Sequence, residues 1–221
     1  MNLDTAFKQY KNHIHINMPE TALDSRLWAI ELFEDYLAHY SDLTKTKPDP
    51  EMEEAVLSGE VNEITEKEIN DFLHVFAIKK IASTAEELQS YLDTLNDFLN
   101  FLLEKSLIEK EKVKSLYRII DDAKDLPLTA SAAEALFELA RSFPDKEYSE
   151  LVSGFFTVTQ INSSYAELKD TITEKNYSQV LLSPKIIENI RIGMILHLEI
   201  VNTDKGWEVA EAGNVYLKLS T

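Results

Sequence analysis

The chain has 221 residues, and its 39 acidic against 22 basic side chains give a formal charge of −17. That balance is the reverse of the basic stripe with which nucleic-acid-binding domains meet phosphate. With no cysteine, disulfide frameworks, thiolate metal sites and cysteine nucleophiles are excluded together, and a reducing, cytoplasmic setting is expected. Apolar residues at 44 % suffice for a core, while no run approaches the roughly 18 consecutive apolar residues of a membrane span. Neither export nor membrane insertion is expected.

Along the chain, residues 1–20 carry Asp4, Lys8, Lys11 and Glu20 without an apolar leader, and read as a mobile arm holding His13 and His15. Ala29, Leu32, Phe33, Tyr36, Leu37 and Tyr40 then form one stripe on a 3.6-residue period, which predicts a first helix. A gap from Ser41 to Asn62, with Pro48, Pro50 and Gly59, separates it from a second stripe at Ile69, Phe72, Leu73, Phe76 and Ala77. Thr65 with Glu68, and Thr84 with Glu87, have the spacing of capping boxes and mark helix starts. Leu88, Tyr91, Leu92, Leu95, Phe98, Leu99 and Leu102 make the longest stripe, widened by Phe101 and Leu103. Val113, Leu116, Tyr117 and Ile120 predict a fourth helix. Ala133, Leu136, Phe137 and Ala140 predict a fifth, opened by Ser131 and Glu134.

From Gly154 the period changes to that of strands: Phe155–Ile161, Tyr177–Leu182, Met194–Ile200, Trp207–Val209 and Val215–Leu217, with a helical turn at Ile186, Ile187 and Ile190. Residues 1–150 hold 16 bases and 31 acids, whereas residues 151–221 hold 6 and 8. The expected fold is α+β. A helical bundle over 1–150 precedes a small antiparallel β-barrel-like domain of OB or SH3-like kind over 154–221.

The stretch 22–110 resembles the core-binding, SAM-like domain that precedes the catalytic domain of phage-type integrases, the tyrosine recombinases. Ile64, Thr65, Ile69, Phe72 and Leu73 carry one element of the likeness. Ser83, Thr84, Leu88, Tyr91, Leu92, Leu95, Phe98, Phe101, Leu102, Leu107 and Ile108 carry the next. The resemblance implies a helical DNA-gripping fold. It does not extend to catalysis, which needs several cations around a pentacoordinate phosphate and a tyrosine nucleophile. The four arginines here are Arg26, Arg118, Arg141 and Arg191, and none stands three residues after a histidine.

Other constellations favour plain structural explanations. Asp49, Glu51, Glu53, Glu54, Glu60, Glu63, Glu66, Glu68 and Asp71 read as a solvated acidic stretch, because Pro50 and Glu54 stand where a hand-type calcium loop cannot have them. Asp121, Asp122 and Asp125 have the D-D-x-x-D spacing of isoprenoid synthases without a second acidic motif, and read as a helix terminus. No Ser83- or Ser153-centred nucleophile context exists. His197 reads as a half-buried sheet residue. No catalytic residue, metal site or cofactor is expected.

Two surfaces remain for binding. Lys79, Lys80, Lys105, Lys112, Lys114 and Arg118 are the cations that could touch nucleic acid, though Glu104, Glu109 and Glu111 interleave with them. Phe156, Tyr177, Trp207 and Tyr216 could form an aromatic face on the barrel, the kind of platform on which bases stack. The expected function is that of a non-catalytic intracellular binding protein with a recombinase-like helical domain and a protein partner. The alternative is a DNA-associated accessory protein related to mobile-element integrases, which the charge disfavours.

Overall fold

The computed structural model describes residues 1–41, 43, 57, 59–80, 84–143 and 147–218, the side chain of Lys80 excepted. The fold is α+β, and the chain divides into two compact units. The first comprises Met1–Ala77 and Glu86–Lys124, and the second Ile78–Ala85 and Asp125–Thr221. The change from helical to strand period lies near residue 150, but the division falls at Lys124/Asp125. A helix beyond that point packs on the sheet, as described below.

The N-terminal segment is a helix, not the mobile arm expected. In α1 (Leu3–Asn17), Asn2 caps the first turn by accepting from the Thr5 amide at 2.9 Å. Leu3, Ala6, Phe7, Tyr10 and Ile14 are buried along one side. Successive residues on a helix are about 100° apart, so His13 and His15 lie on different faces and cannot form the same-side pair that a strand would give. His13 instead places its ring 5.2 Å from that of Phe101.

The first unit continues with α2 (Glu20–Tyr40), a 3₁₀ turn at Val61–Glu63, α3 (Glu66–Asp71), a π turn at Phe72–Phe76 and α4 (Ala77–Lys80), whose last three residues fall in the second unit. After these come α5 (Ala85–Glu104) and α6 (Lys110–Asp122). The capping box at Thr65 forms: its amide donates to Glu68 at 2.7 Å and its hydroxyl accepts from the Lys67 amide at 3.2 Å. The stripe expected as one regular helix is widened at its centre, where the Ala77 amide reaches back five residues to the Phe72 carbonyl. That extra residue per turn brings Phe72, Leu73, His74 and Phe76 all into the interior. Phe72 is the hub, 5.0 Å from Phe33, 5.6 Å from Tyr36 and 6.0 Å from Tyr91. Phe7 stacks on Phe98 at 4.9 Å and ties α1 to α5.

α5 ends in a left-handed residue, Ser106 at φ 55°. The Leu107 amide reaches the Leu102 carbonyl at 2.8 Å and the Ser106 amide the Leu103 carbonyl at 3.0 Å. This is the Schellman pairing, which satisfies the last helical carbonyls. Asp121 and Asp122 close α6, and Asp125 occupies the N-cap position of the next helix, the end at which a negative charge suits the macrodipole.

In the second unit, α7 (Leu126–Arg141) starts five residues before the expected box at Ser131. Pro127 is tolerated in its first turn, where no intrahelical donor is lost. Ala132, Ala135 and Leu136 are buried on the side that packs against the sheet. The strands are β1 (Glu150–Ile161), β2 (Tyr165–Asp170), β3 (Asn176–Leu181), β4 (Ile195–Thr203) and β5 (Gly206–Tyr216), with α8 (Pro184–Asn189) between β3 and β4. β2 was not among the expected strands. Conversely, the two short strands expected at 207–209 and 215–217 are the ends of β5.

The strand order is β3-β2-β1-β4-β5, antiparallel throughout. The sheet is not closed into the expected barrel: among the described residues no hydrogen-bonded ladder joins its edges β3 and β5. The edges nevertheless approach, with the Tyr177 and Trp207 rings edge-to-face at 5.0 Å. In β3 the pairs Ala166↔Val180 and Leu168↔Tyr177 leave one extra residue, absorbed by Gln179 in the left-handed region at φ 58°. The β2–β3 turn is pinned by Asp170, whose Oδ1 accepts from the Ile172 and Thr173 amides at 2.8 and 2.6 Å. These bonds, above all that from Thr173, hold its carboxyl below the ordinary value.

Candidate binding surface

Alternation along β1 sends Phe156 and Val158 into the core, both fully buried, and leaves Leu151, Ser153 and Phe155 outside. The expected aromatic face is therefore placed differently by the fold. Phe156 and Tyr177 are core residues, 0 % and 3 % exposed and edge-to-face at 5.5 Å. Trp207 is half-buried and closes onto Tyr177. Of the four, Tyr216 shares the outer surface with the exposed pair Phe155 and His197.

That surface is built by register. Phe155 on β1 lies opposite His197 on β4, and their rings stack at 4.5 Å with 15° between planes. Tyr216 on β5 pairs with Ile195 and sets its ring 6.2 Å from Phe155. The Tyr216 hydroxyl is met by the Asn214 amide at 3.4 Å. Gly213 has a steric role, because a Cβ there would fall inside van der Waals contact of His197 Nδ1 and Cγ. The bare backbone of β5 is what lets the imidazole lie against Phe155. Leu151, 44 % exposed, extends the patch along β1, with Ser153 between it and Phe155. Lys79, from the short segment assigned to this unit, holds its Nζ 5.9 Å from the Tyr216 ring centroid, within range of a cation–π contact. Glu199 and Glu211 face each other at the far side of His197.

The sequence-derived cations of α6 have partners within the helical unit. Lys112 is half-buried and donates to the Asn62 carbonyl, and burial lowers its pKa despite Glu68, Glu109 and Glu63 nearby. Lys114 pairs with Glu111 at 2.7 Å and Arg118 with Glu66 at 3.9 Å. Lys105 is exposed just after α5. The side chain of Lys80, the acids Asp49, Glu51, Glu53 and Glu54, and Ser83 lie outside the described residues.

Sequence reasoning missed Phe155 and His197 as a pair. In the run Gly154-Phe155-Phe156 either aromatic could point inward, and only the register against β4 decides which does. Among the described residues no three His, Asp or Glu side chains are placed to hold a metal ion, and no helix is long and apolar enough to cross a membrane. Compared with protein-family models, curated proteins and solved structures, the chain matches none.

Proposed function

We propose that this protein is a non-catalytic binding module whose second unit recognises a protein partner through the outer face of β1, β4 and β5. The observation that carries the reading is the exposed Phe155–His197 stack, flanked by Leu151 and Tyr216 and held open by Gly213. Rigid aromatic side chains that keep large apolar area in water, set in a surface of mixed and weak charge, are the composition of a protein-recognition centre. A phosphate-binding face of the same kind would need a positive groove, whereas here Lys79 lies beside Tyr216 and the carboxylates Glu199 and Glu211 stand opposite each other next to His197.

Two further readings belong to this proposal. Pairing β3 with β5 would give the ring order β1-β2-β3-β5-β4, so the sheet suits a partly open barrel of OB type, with the Tyr177–Trp207 contact bridging the unpaired seam. The helical unit keeps the residues that carry the resemblance to integrase core-binding domains in its core and caps, Phe72, Leu88, Leu95 and Phe98 among them. We take it as a recombinase-like scaffold used without DNA chemistry.

The test replaces Phe155 with a photoreactive phenylalanine analogue in the full chain, with irradiation in the native host before and after nuclease treatment. Discrete adducts that survive nuclease and are removed by protease are expected. Adducts that disappear on nuclease treatment would overturn the reading and put a nucleic acid on this face.

A further inference from the structure

Beside its exposed rings, the outer face of β1, β4 and β5 carries a pair of like charges. Glu199 on β4 and Glu211 on β5 are direct partners in register, so both side chains leave the sheet on the same side. Like charges set directly opposite each other destabilise an antiparallel pair. On its other flank Glu199 lies opposite Ser153 of β1, so the ladder brings no lysine or arginine to the pair. Neither glutamate makes an ion pair among the described residues. Glu211 is exposed and Glu199 half-buried, which leaves the charge open to a group from outside. No third His, Asp or Glu joins them in a metal-holding group among the described residues.

What lies next to the acids is aromatic and in contact with water. Residues two apart on a strand share a face at a spacing of about 7 Å, which is the step from Glu199 to His197. The exposed His197 stacks on Phe155, itself 39 % exposed, at 4.5 Å. At the far end of the same face Lys79 holds its Nζ 5.9 Å from the Tyr216 ring centroid, so one ring here already receives a cation. A side chain that runs from the stack to the acids is apolar along its stem and positive at its tip. Arginine meets both requirements: its methylenes lie well on apolar surface, and its planar guanidinium stacks on rings. The guanidinium also has five donors and no acceptor, enough to serve two carboxylates at once. A lysine ammonium is a compact, strongly hydrated point charge without that fork.

Granted that this face meets a protein partner, as proposed above, we infer that the partner presents an arginine whose guanidinium lies between Glu199 and Glu211 and whose stem covers the Phe155–His197 stack. The like-charge pair is then a half-built ion pair that the partner completes. Charge complementarity and the exposed rings beside it select a basic segment with apolar neighbours.

The experiment titrates the full chain at physiological salt with two synthetic peptides, acetyl-Leu-Ala-Arg-Ala-Leu-amide and the same peptide with citrulline, the uncharged analogue, in place of arginine. Binding is read from the magnetic resonance shifts of the His197 ring protons. Saturable shifts are expected with the arginine peptide, and affinity about tenfold lower with citrulline, the loss of a charge-assisted contact. Glu199→Gln and Glu211→Gln are each expected to weaken the arginine peptide about tenfold. Glu188→Gln, an equal change of charge at an exposed position on α8, is expected to change it by no more than about twofold, the scale of a screened surface charge. Equal affinity for the two peptides, equal loss in all three variants, or no shift at His197 up to about 5 mM peptide would overturn the inference. The photoreactive analogue at position 155 separates its failure from that of the sheet-face reading. Nuclease-resistant protein adducts that form undiminished in Glu199→Gln and Glu211→Gln would overturn the arginine assignment alone, whereas adducts lost on nuclease treatment would overturn both.

Discussion

His74 gives the sharpest test of how the helical unit is held. It is 2 % exposed at the centre of the π turn, and neither ring nitrogen has a hydrogen-bond partner. One helical turn earlier, the buried Asn70 Oδ1 also lacks one. Burial lowers the His74 pKa, while Asp122 on α6 and Asp71 on its own helical run act in the opposite sense. The other elements packed on the π turn contribute rings, Phe33 and Tyr36 from α2 and Tyr91 from α5. With the folded value below the unfolded one, near 6.5, the unfolded chain binds the proton first. The stability contributed by neutral His74 is therefore complete above about pH 6.5 and is lost as the pH falls from there toward the folded value. One group can contribute a slope of at most about 1.4 kcal/mol per pH unit, so stability should fall as the pH drops below about 6.5, by no more than that slope. His74→Leu removes two orphaned polar atoms, each costing about 1–3 kcal/mol when buried unpaired. It should stabilise the unit near neutrality and abolish that slope. Native-state hydrogen exchange of the amides of Phe72–Phe76, followed from pH 7.5 to 5.5, reads the quantity directly, with exposed His39→Gln as the control. If the leucine variant kept the wild-type pH dependence, or were less stable at neutral pH, the reasoning would be refuted.

Three other predictions are local. Ser106→Gly removes a left-handed serine from the end of α5 and should raise stability by about 0.5–1 kcal/mol after allowing for the freer unfolded chain, checked by urea unfolding followed through Trp28, the tryptophan of the first unit. Thr65→Ala breaks the capping box before α3 and should cost about 1 kcal/mol in the same assay. Gly213→Ala should leave the sheet folded, since strand propensity improves by about 0.5–1 kcal/mol. It should also displace His197 from Phe155, read as loss of the ring-current shift on the imidazole protons; an unchanged shift would refute the steric role assigned to Gly213.

Much of the helical unit was legible because its apolar residues recur at helical spacing: α5 reads off Leu88 to Leu102, and Thr65 with Glu68 marks the start of α3. α1 was equally written in Leu3, Ala6, Phe7, Tyr10 and Ile14, but the polar residues between them gave it the look of an arm. The π turn was not legible, since a stripe at Phe72, Leu73 and Phe76 fits a regular helix as well as a widened one. In the second unit, β2 alternates Ala166, Leu168 and Asp170 with Tyr165, Glu167 and Lys169, too short and too charged to stand out before its partners are known. The grouping of α7 with the sheet depends on tertiary packing that period alone does not encode. The candidate surface was legible as a surplus of aromatics near the strands. Its members were not, because two phenylalanines in succession leave open which one faces water.

Hydrogen exchange of the full chain captured with its partner from the native host, compared with that of the free chain, shows whether the outer face of β1, β4 and β5 is where this protein binds. Added protection is expected over residues 151–157, 195–199 and 211–216, with the helical unit unchanged. Protection confined to α1–α6, with the three strand segments exchanging as in the free protein, would contradict it.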